Sequence, residues 1–297
     1  MKVNTLSVVI GDGSCNFSCP YCVSKMTGIE EPEELGYLEP TPGGFYWRNL
    51  HKSCELAARS GVHTCLLTGK GEPTLWPKWI GHVVKKVSQY FPVVELQTNG
   101  QKLMRIEERD VHTWYLDGLT TIAISMVHYD ENVNQRLLYP HGAGHANWNS
   151  KIADRMHQLG FSVRLSVIMC RGYIWNPDTV QVMCGAARDI FHAEQLTLVP
   201  VTRPDSPRDE DVAAWVEEHR LFSEQLEEVK TFLDENAVAL QILPHGAVVY
   251  DYEDQNVCLS NCLTLDAEAG EENLRQLIYF PDGSLRYDWR YPGARIF

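Results

Sequence analysis

Residues 6–22 read LSVVIGDGSCNFSCPYC, an apolar run that ends at glycines and leads into three closely spaced cysteines. The apolar residues at 6–10 predict a β-strand. Cys15, Cys19 and Cys22 follow that strand with C-x3-C-x2-C spacing, on a glycine-bearing loop. Loops that follow the strands of a β/α barrel form its catalytic face. If the rest of the chain builds such a barrel, the cysteines lie at its functional edge.

Five more short β-rich runs, separated by amphipathic stretches, continue this pattern along the chain. Strands that alternate with helices of this length indicate βαβ crossovers and a parallel sheet. Six such units use about 200 residues, fewer than the ~250 of a full eight-unit barrel. The predicted fold is therefore α/β, a partial (β/α)6 barrel. The predicted strands are residues 63–68, 93–98, 120–126, 162–169 and 195–201, and the predicted helices are residues 46–59, 79–90, 103–116, 147–159 and 178–191.

The chain changes character after residue 202, which predicts a barrel domain at 1–202 and a C-terminal α+β extension at 203–297 that covers the barrel. Residues 209–236 predict one long acidic helix with a single buried apolar stripe. The residues from 238 onward alternate as short strands do. The segment IYFPDGSLRYDW at 278–289 predicts a hairpin with an Asp-Gly turn.

Charge and hydropathy exclude several classes of protein. The chain has 297 residues, and 26 Lys and Arg against 39 Asp and Glu give a net charge of −13. Extended nucleic acid is not expected as a partner, because that binding relies on clusters of basic residues. No apolar stretch approaches the ~20 residues that cross a bilayer, and the N-terminus lacks the long apolar core of a signal peptide. We therefore expect a cytoplasmic protein without a membrane segment.

The nine cysteines argue for thiolate chemistry rather than a disulfide framework, because their number is odd and the chain is expected in the cytoplasm. Cys54, Cys65, Cys170 and Cys184 occur in apolar or helical contexts, where cysteine behaves as a small buried hydrophobe. The triplet differs, because three thiolates on one loop can wrap a metal. A structural zinc site takes a fourth ligand, and none lies nearby. Three cysteines on a [4Fe–4S] cluster, which normally takes four, leave one iron open.

The triplet, with the aromatic Tyr21 directly before its last cysteine, resembles the signature of the radical SAM (S-adenosylmethionine) superfamily. The resemblance implies that Cys15, Cys19 and Cys22 ligate three irons of a [4Fe–4S] cluster and that SAM chelates the fourth. It also implies cleavage of SAM to a 5′-deoxyadenosyl radical, which abstracts hydrogen from a substrate. The pattern is most similar to the branch that contains the molybdenum-cofactor cyclisation enzyme and the SPASM/twitch proteins.

TGKGEPTL at residues 68–75 resembles the glycine-glycine-glutamate motif of that superfamily, which receives the ammonium group of SAM. Gly71 lets the backbone approach a ligand, and the Glu72 carboxylate suits a cation. Lys70 departs from the pattern, because many members have glycine there. Taken without the triplet, these residues fit an ordinary loop that turns at glycines better than a ligand site.

Three later strands end where the superfamily places polar contacts to SAM. Thr98 and Asn99 end the predicted third strand, and Ser125 lies on the fourth. Arg164 and Ser166 alternate with apolar residues on the fifth strand and therefore share a face. If that face is the interior, one of them contacts SAM, and otherwise both lie on an exposed strand face. Asn176, just before Pro177, predicts a helix cap instead.

Two features of the C-terminal extension suggest contacts with substrate. Cys258 or Cys262 acts on substrate by donating hydrogen to a product radical, or the two form a structural pair, or they help to hold a second cluster. The aromatic and basic run at 285–297 either closes the open side of the barrel or offers arginines to an anionic substrate. The arginines concerned are Arg286, Arg290 and Arg295.

The segment after the predicted fourth strand, residues 127–148, reads as a long loop rich in His, Asn and Gly. Long loops in compact domains are often lids or binding loops. The candidates for substrate contact in this loop are His128, Tyr129, Arg136, His141 and His145.

The predicted function is that of a radical SAM enzyme acting on an unidentified small-molecule, nucleotide or peptide substrate. Its electrons would come from a donor such as flavodoxin or ferredoxin, as the resemblance implies. The alternative is a non-catalytic barrel that binds zinc or a cluster and serves as a binding or structural protein. Iron and sulfide analysis after anaerobic purification separates the two.

Overall fold

The computed structural model describes residues 2–27, 44–139, 148–243, 246–260, 273–289 and 293–297. The strands of these residues are β1 (Lys2–Val9), β2 (Thr64–Thr68), β3 (Val93–Thr98), β4 (Thr121–Met126), β5 (Ser162–Met169), β6 (Gln195–Pro200), β7 (Val238–Ile242), β8 (Val248–Tyr252), β9 (Gln255–Leu259), β10 (Asn273–Tyr279) and β11 (Leu285–Arg286). The helices are α1 (Val23–Met26), α2 (Phe45–Arg59), α3 (Pro77–Val87), α4 (Glu108–Leu116), α5 (Glu131–Leu138), α6 (Trp148–Gln158), α7 (Pro177–Asp189), α8 (Glu210–His219) and α9 (Ser223–Asn236).

All of these strands belong to one sheet, in the order β11-β10-β1-β2-β3-β4-β5-β6-β9-β8-β7. Strands β1 to β6 are parallel and adjacent in chain order, as the βαβ pattern predicts. The sheet has two edge strands and does not close, so the fold is a partial barrel. The carboxyl ends of six parallel strands therefore meet at one edge, which we call the carboxyl edge.

The C-terminal extension contributes two further parallel strands to the sheet. Strand β9 pairs with β6, and β10 pairs with β1, both in parallel. The predicted hairpin forms between β10 and β11. Pairing between strands so distant in sequence leaves no local pattern, and the repeat of βαβ units therefore did not reveal it. The division into residues 1–202 and 203–297 stays a prediction.

Two helical predictions need correction. The helix predicted over 209–236 is two helices, α8 and α9, because the chain is extended at Arg220 and Phe222. The side chain of Gln225 accepts a hydrogen bond from the Phe222 backbone N–H and so marks the start of α9. The predicted loop at 127–148 contains α5, whose first turn is capped by the Asp130 side chain. Asn176 caps α7 with Thr179, as predicted.

The two faces of the sheet differ sharply in polarity. Alternate strand residues such as Leu67, Leu96, Leu165 and Leu198 are fully buried in the main apolar core beneath the helices. Burial of this kind is the principal stabilising contribution to such a fold. The opposite face, which we call the inner face, is polar. Its residues in strands β3 to β9 include Glu95, Gln97, Ser125, Arg164, Ser166, Thr197, Asp251, Asn256 and Cys258.

The four scattered cysteines, at positions 54, 65, 170 and 184, are buried, which confirms their prediction as small apolar side chains. Among the helices of the described residues, none combines the length and apolar character that crossing a membrane requires.

Candidate active site at the carboxyl edge

The cysteine loop, which we define as residues 11–22, leaves β1 at the carboxyl edge. Gly11 and Gly13 adopt φ values of +83° and +89°, which residues with side chains rarely adopt. A Cβ on Gly11 would lie 2.5 Å from the Trp76 ring. The loop therefore turns sharply away from the strand at a point where only glycine fits, and this turn carries the cysteines over the end of the sheet.

The three thiols of the loop interact electrostatically, and none is in a disulfide. Burial raises the pKa of the Cys19 thiol to about 12, and the neighbouring Cys22 and Cys15 raise it further. The Cys15 sulfur accepts a hydrogen bond from the Phe17 backbone N–H at 3.4 Å. Within the described ranges, no three His, Cys, Asp or Glu side chains are placed to hold a single metal ion.

Gly71 and Glu72 hold the cysteine loop in place. The Glu72 backbone N–H donates to the Ser14 carbonyl at 2.9 Å, one residue before Cys15. A Cβ on Gly71 would lie 2.0 Å from that same carbonyl oxygen and 2.4 Å from the Gly13 carbonyl oxygen. Glycine at 71 is thus required for the approach of the two loops, in addition to any approach of a ligand.

The Glu72 carboxylate is a buried hub. Its Oε1 accepts from the Thr74 backbone N–H at 2.9 Å, the Thr74 hydroxyl at 2.5 Å and the Thr98 hydroxyl at 2.6 Å. Its Oε2 accepts from the Asn99 backbone N–H at 2.8 Å. Burial raises the pKa of this carboxyl, and the four hydrogen bonds act in the opposite direction. Glu72 therefore ties the loop after β2 to the end of β3, and Oε2 is the less occupied oxygen.

Asn99 connects the end of β3 to the cysteine loop. Its side-chain amide donates to the side-chain oxygen Oδ1 of Asn16 at 2.9 Å and lies 4.0 Å from the Cys15 sulfur. Asn16 in turn donates to Gln101. Thr98 does not take part directly, because its hydroxyl donates to Glu72 and accepts from the Gly100 N–H. Of the predicted pair, Asn99 borders the cysteines and Thr98 positions Glu72.

Tyr21 is buried under the first helix of the C-terminal extension. Its ring lies 5.9 Å from the ring of Trp215 in α8, and it packs in the same apolar cluster as Cys19. Trp215 stacks on His219 with ring centroids 4.0 Å apart. The Arg208 N–H also donates to the Met26 carbonyl at 2.9 Å. The extension thus packs directly against the residues around the last two cysteines.

Ser125 and Ser166 lie side by side on the inner face. They are direct partners in the β4–β5 register, and the next strands continue the same row with Thr197 and Cys258. Ser125 is exposed, and the other three are partly exposed. Four small polar side chains therefore cross four adjacent strands at one height. Cys258, predicted independently, belongs to the same row as the two serines.

The structure does not bring Arg164 to the cysteines. Arg164 is the third residue of β5, near its amino end, and its guanidinium donates to the Glu95 carboxylate. Glu95 also accepts from Gln97 at 3.1 Å. Strand β4 lies between β3 and β5, and its small residue Ala123 occupies the position paired with Arg164. This ion pair lies deep on the inner face, several residues from the carboxyl edge.

The remaining predicted contacts are dispersed. His128 follows β4, accepts a hydrogen bond from the Asp130 N–H at 2.9 Å and stacks on Tyr129. Arg136 is exposed on α5. Arg286 and Arg295 each donate to Asp282 at 3.0 Å, at the hairpin turn. Cys262, His141, His145 and Arg290 lie outside the described residues.

Sequence reasoning missed Ser14, Asn16, Thr197 and Trp215. Ser14 acts through its backbone carbonyl, which no residue-type pattern reveals. Thr197 is marked only by its register with Ser166, and Trp215 only by tertiary packing against Tyr21. Of these four residues, Asn16 alone could have been found from the sequence. It lies between Cys15 and Cys19, and an amide between two cysteines is a candidate hydrogen-bond partner for them.

The donor set of the cysteine loop fits the cluster that the triplet implies. Three thiols project from one loop, their spacing is set by anchored backbone at Ser14 and Met26, and an amide and a backbone N–H point at the Cys15 sulfur. Such N–H contacts to cluster sulfurs are a known means of tuning a bound cluster.

Comparisons with known proteins show what this chain resembles in sequence and in fold. No family model matches the chain. The chain is 29% identical over 165 residues to the GTP 3′,8-cyclase of Haemophilus ducreyi, which is 54% of this chain and 43% of that protein. It is 29% identical over 127 residues to the neomycin C epimerase of Streptomyces fradiae, which is 40% of this chain and 36% of that protein. The chain thus spans less than half the length of either relative.

Among solved structures, the fold resembles that of anSMEcpe with bound AdoMet and the Kp18Cys peptide, with a TM-score of 0.54 and 12% identity. That match covers 99% of this chain and 77% of the other. It supports the partial barrel, including the strands that the C-terminal extension adds to the sheet.

Proposed function

We propose that this chain, which belongs to the radical SAM superfamily, is an enzyme that removes a hydrogen atom from a substrate held on its inner face. Cys15, Cys19 and Cys22 would hold a [4Fe–4S] cluster, and SAM would bind beside it. When bound, the cluster and SAM together supply a 5′-deoxyadenosyl radical, which takes the hydrogen atom. The observation that carries the proposal is the anchoring of the cysteine loop to Glu72 and Asn99 at the carboxyl edge.

The residues around the loop suit the groups of SAM. Oε2 of Glu72 accepts one hydrogen bond from the protein, which leaves a lone pair for an ammonium group. Gly71 keeps the backbone near, and Asn99 and Tyr21 border the cysteines. Ser125 and Ser166 present hydroxyls that can bond a ribose, with Thr98 acting through Glu72. In this proposal Arg164 stabilises the inner face through Glu95 instead of binding SAM.

Cys258 is proposed to return a hydrogen atom to the substrate. It lies in register with Ser125 across three interstrand spacings, about 14 Å in total. That gap accommodates a substrate between the two positions. The substrate radical gains the thiol hydrogen and forms a C–H bond, and the thiyl radical left on sulfur needs one electron and one proton from an external donor. One relative is an epimerase, and inversion of a carbon centre is a reaction that such a return accomplishes.

Formation of 5′-deoxyadenosine tests the main proposal. The anaerobically reconstituted protein, given SAM and a strong reductant, should form this product slowly even without substrate. Cys19→Ala should abolish the activity, because it removes one of the three ligands. Cys184→Ala, in the buried helix α7, is the matched control and should retain it. Absence of product from wild-type protein that holds iron and sulfide would reject the proposal.

Deuterium incorporation tests the role of Cys258. A substrate is recognised by its stimulation of 5′-deoxyadenosine formation, and turnover in D2O should place one deuterium in the product, since thiol hydrogens exchange with solvent. Cys258→Ser should stop this incorporation. Cys262→Ser should stop it instead if Cys262 is the donor. Normal turnover by both serine variants would reject a hydrogen-donating cysteine in this region.

The rival function is a non-catalytic barrel that binds zinc or a cluster. Stoichiometric zinc without sulfide after anaerobic purification would favour it. The electron donor, whether flavodoxin or ferredoxin, is identified by which of them supports the reaction in place of a chemical reductant.

A further inference from the structure

The charges on the inner face are unequally neutralised. In the strand residues that the structure describes on this face from β3 to β8, the charged side chains are Glu95, Arg164 and Asp251. Glu95 and Arg164 are paired with each other. Asp251 therefore gives this face one uncompensated negative charge. A face of this kind favours a positively charged ligand, because a local excess of one charge attracts groups of the opposite charge.

The Asp251 carboxylate has an unused buried oxygen. Its Oδ1 is inaccessible to solvent and has no hydrogen-bond partner. Such an orphaned acceptor is uncommon in folded proteins and calls for an explanation, of which a missing ligand is one. Asp251 pairs with Asn256 in the antiparallel register of β8 and β9, so the two side chains share the inner face with Cys258.

Asp251 is close to the proposed hydrogen donor. Cys258 pairs directly with Val249, and Asp251 is two residues farther along β8. Diagonal neighbours of this kind lie about 7–8 Å apart. A cation on the Asp251 carboxylate is thus close enough to belong to the same small molecule whose carbon faces the Cys258 sulfur.

The rest of the row offers uncharged hydrogen-bonding groups. Ser125, Ser166 and Thr197 cross the adjacent strands at the height of Cys258. Ser125 and Ser166 are assigned to SAM in the proposed function, which leaves Thr197, directly beside Cys258, for the substrate. A hydroxyl both donates and accepts hydrogen bonds, so Thr197 complements a ligand that carries a hydroxyl group of its own. The net charge of −13 also raises the local concentration of cations around the protein.

We infer that the inner face binds a small hydroxyl-bearing substrate with a protonated amine, its ammonium group on Asp251 and a hydroxyl group on Thr197, directly beside Cys258. The inference rests on the proposed function, for which it names the substrate class. It assigns Asp251 as a residue that determines specificity, since an ammonium group would satisfy the orphaned oxygen and a neutral group would leave the charge unpaired.

Binding of three matched sugars to the reconstituted protein with SAM present tests this inference. The probes are methyl glucosaminide, methyl N-acetylglucosaminide and methyl glucoside. They differ only in the substituent at C2, which is a charged ammonium group in the first, a neutral acetamido group in the second and a neutral hydroxyl group in the third. Saturation-transfer NMR gives the dissociation constant of each. The glucosaminide should bind about tenfold more tightly than either neutral sugar, the value of one charge-assisted hydrogen bond.

Asp251→Asn keeps the shape of the side chain and removes its charge, so it should abolish the preference for the amine. Asp254→Asn is the matched control, because Asp254 is exposed in the turn between β8 and β9 at φ +66°, which asparagine tolerates. The control should keep the preference. Equal binding of all three sugars by wild-type protein, or an unchanged preference in Asp251→Asn, would overturn the inference.

The proposed function and the inferred substrate class can be rejected independently of each other. Wild-type protein that forms 5′-deoxyadenosine without any preference for the amine retains the proposed function and loses the substrate class. Wild-type protein that forms no 5′-deoxyadenosine loses the proposed function itself, whatever its affinity for the sugars.

Discussion

At the scale of single residues, the site depends on close backbone approach as much as on functional groups. A Cβ added at Gly71 would lie 2.0 Å from the Ser14 carbonyl oxygen, a distance that real Cβ atoms do not show. Asn99 and Glu72 contact the same loop through hydrogen bonds. The glycine in the motif is therefore required by protein packing, and its presence follows from the position of the cysteine loop as well as from any ligand.

Gly71→Ala should displace the cysteine loop, because the backbone atoms it meets cannot move as a flexible side chain would. We expect the variant to hold less than half the iron and sulfide of wild-type protein after reconstitution. Metal and sulfide analysis measures this directly.

Gly185→Ala is the control for that variant. Gly185 lies in α7 with open space where a Cβ would be, so alanine should raise stability by about 1 kcal/mol through its helix propensity. A Gly71→Ala protein with full iron and sulfide content would show that the close approach at Ser14 is relieved without affecting the cysteines.

At the scale of elements, α8 is the part of the C-terminal extension that stabilises the site. Trp215 covers Tyr21, which packs in the same apolar cluster as Cys19, and the Arg208 backbone N–H donates to the Met26 carbonyl. The sequence predicted a buried apolar stripe here but not its target, because helix periodicity identifies a face and not the element that the face contacts.

Trp215→Ala should loosen the cysteine loop while leaving its ligands intact. We expect iron to be lost to a chelator several-fold faster than from wild-type protein, with a modest fall in melting temperature. Phe222→Ala is the control, because this exposed ring lies beneath Arg171 instead of the cysteine loop. Equal rates of iron loss from wild-type and Trp215→Ala proteins would contradict the stabilising role of α8.

The hairpin between β10 and β11 makes a pH-dependent contribution to stability. Burial alone would raise the pKa of Asp282, but hydrogen bonds from Ser284 and the charges of Arg286 and Arg295 outweigh it and lower the pKa. Since the folded-state pKa lies below the unfolded value of about 3.9, the carboxylate stabilises the fold above that pH and the contribution disappears as pH falls through the folded pKa.

Asp282→Asn should therefore lower the melting temperature at pH 7 by several degrees, and the difference from wild-type protein should shrink below about pH 4. Thermal unfolding of both proteins across this range measures it. A difference that is constant with pH would indicate that packing, and not the charge of Asp282, is responsible.

At the scale of the whole molecule, the sequence predicted the parallel order of β1 to β6 and the place of the cysteine loop after β1. Both follow from local patterns, since alternating strands and helices allow few topologies. The addition of β9 and β10 to opposite sides of that sheet could not be predicted, because each pairs with a strand distant in sequence. The same limit hid the row from Ser125 to Cys258, which exists only through strand register.

In the proposed function, the cysteine loop holds a cluster with one iron open to SAM. Electron paramagnetic resonance of the reduced, reconstituted protein, with and without SAM, tests this most directly. We predict a [4Fe–4S] signal whose g values shift on addition of SAM, and no such signal from Cys19→Ala. A wild-type signal that does not respond to SAM, or a preparation that forms no cluster at all, would contradict the proposed binding of SAM to an open iron site.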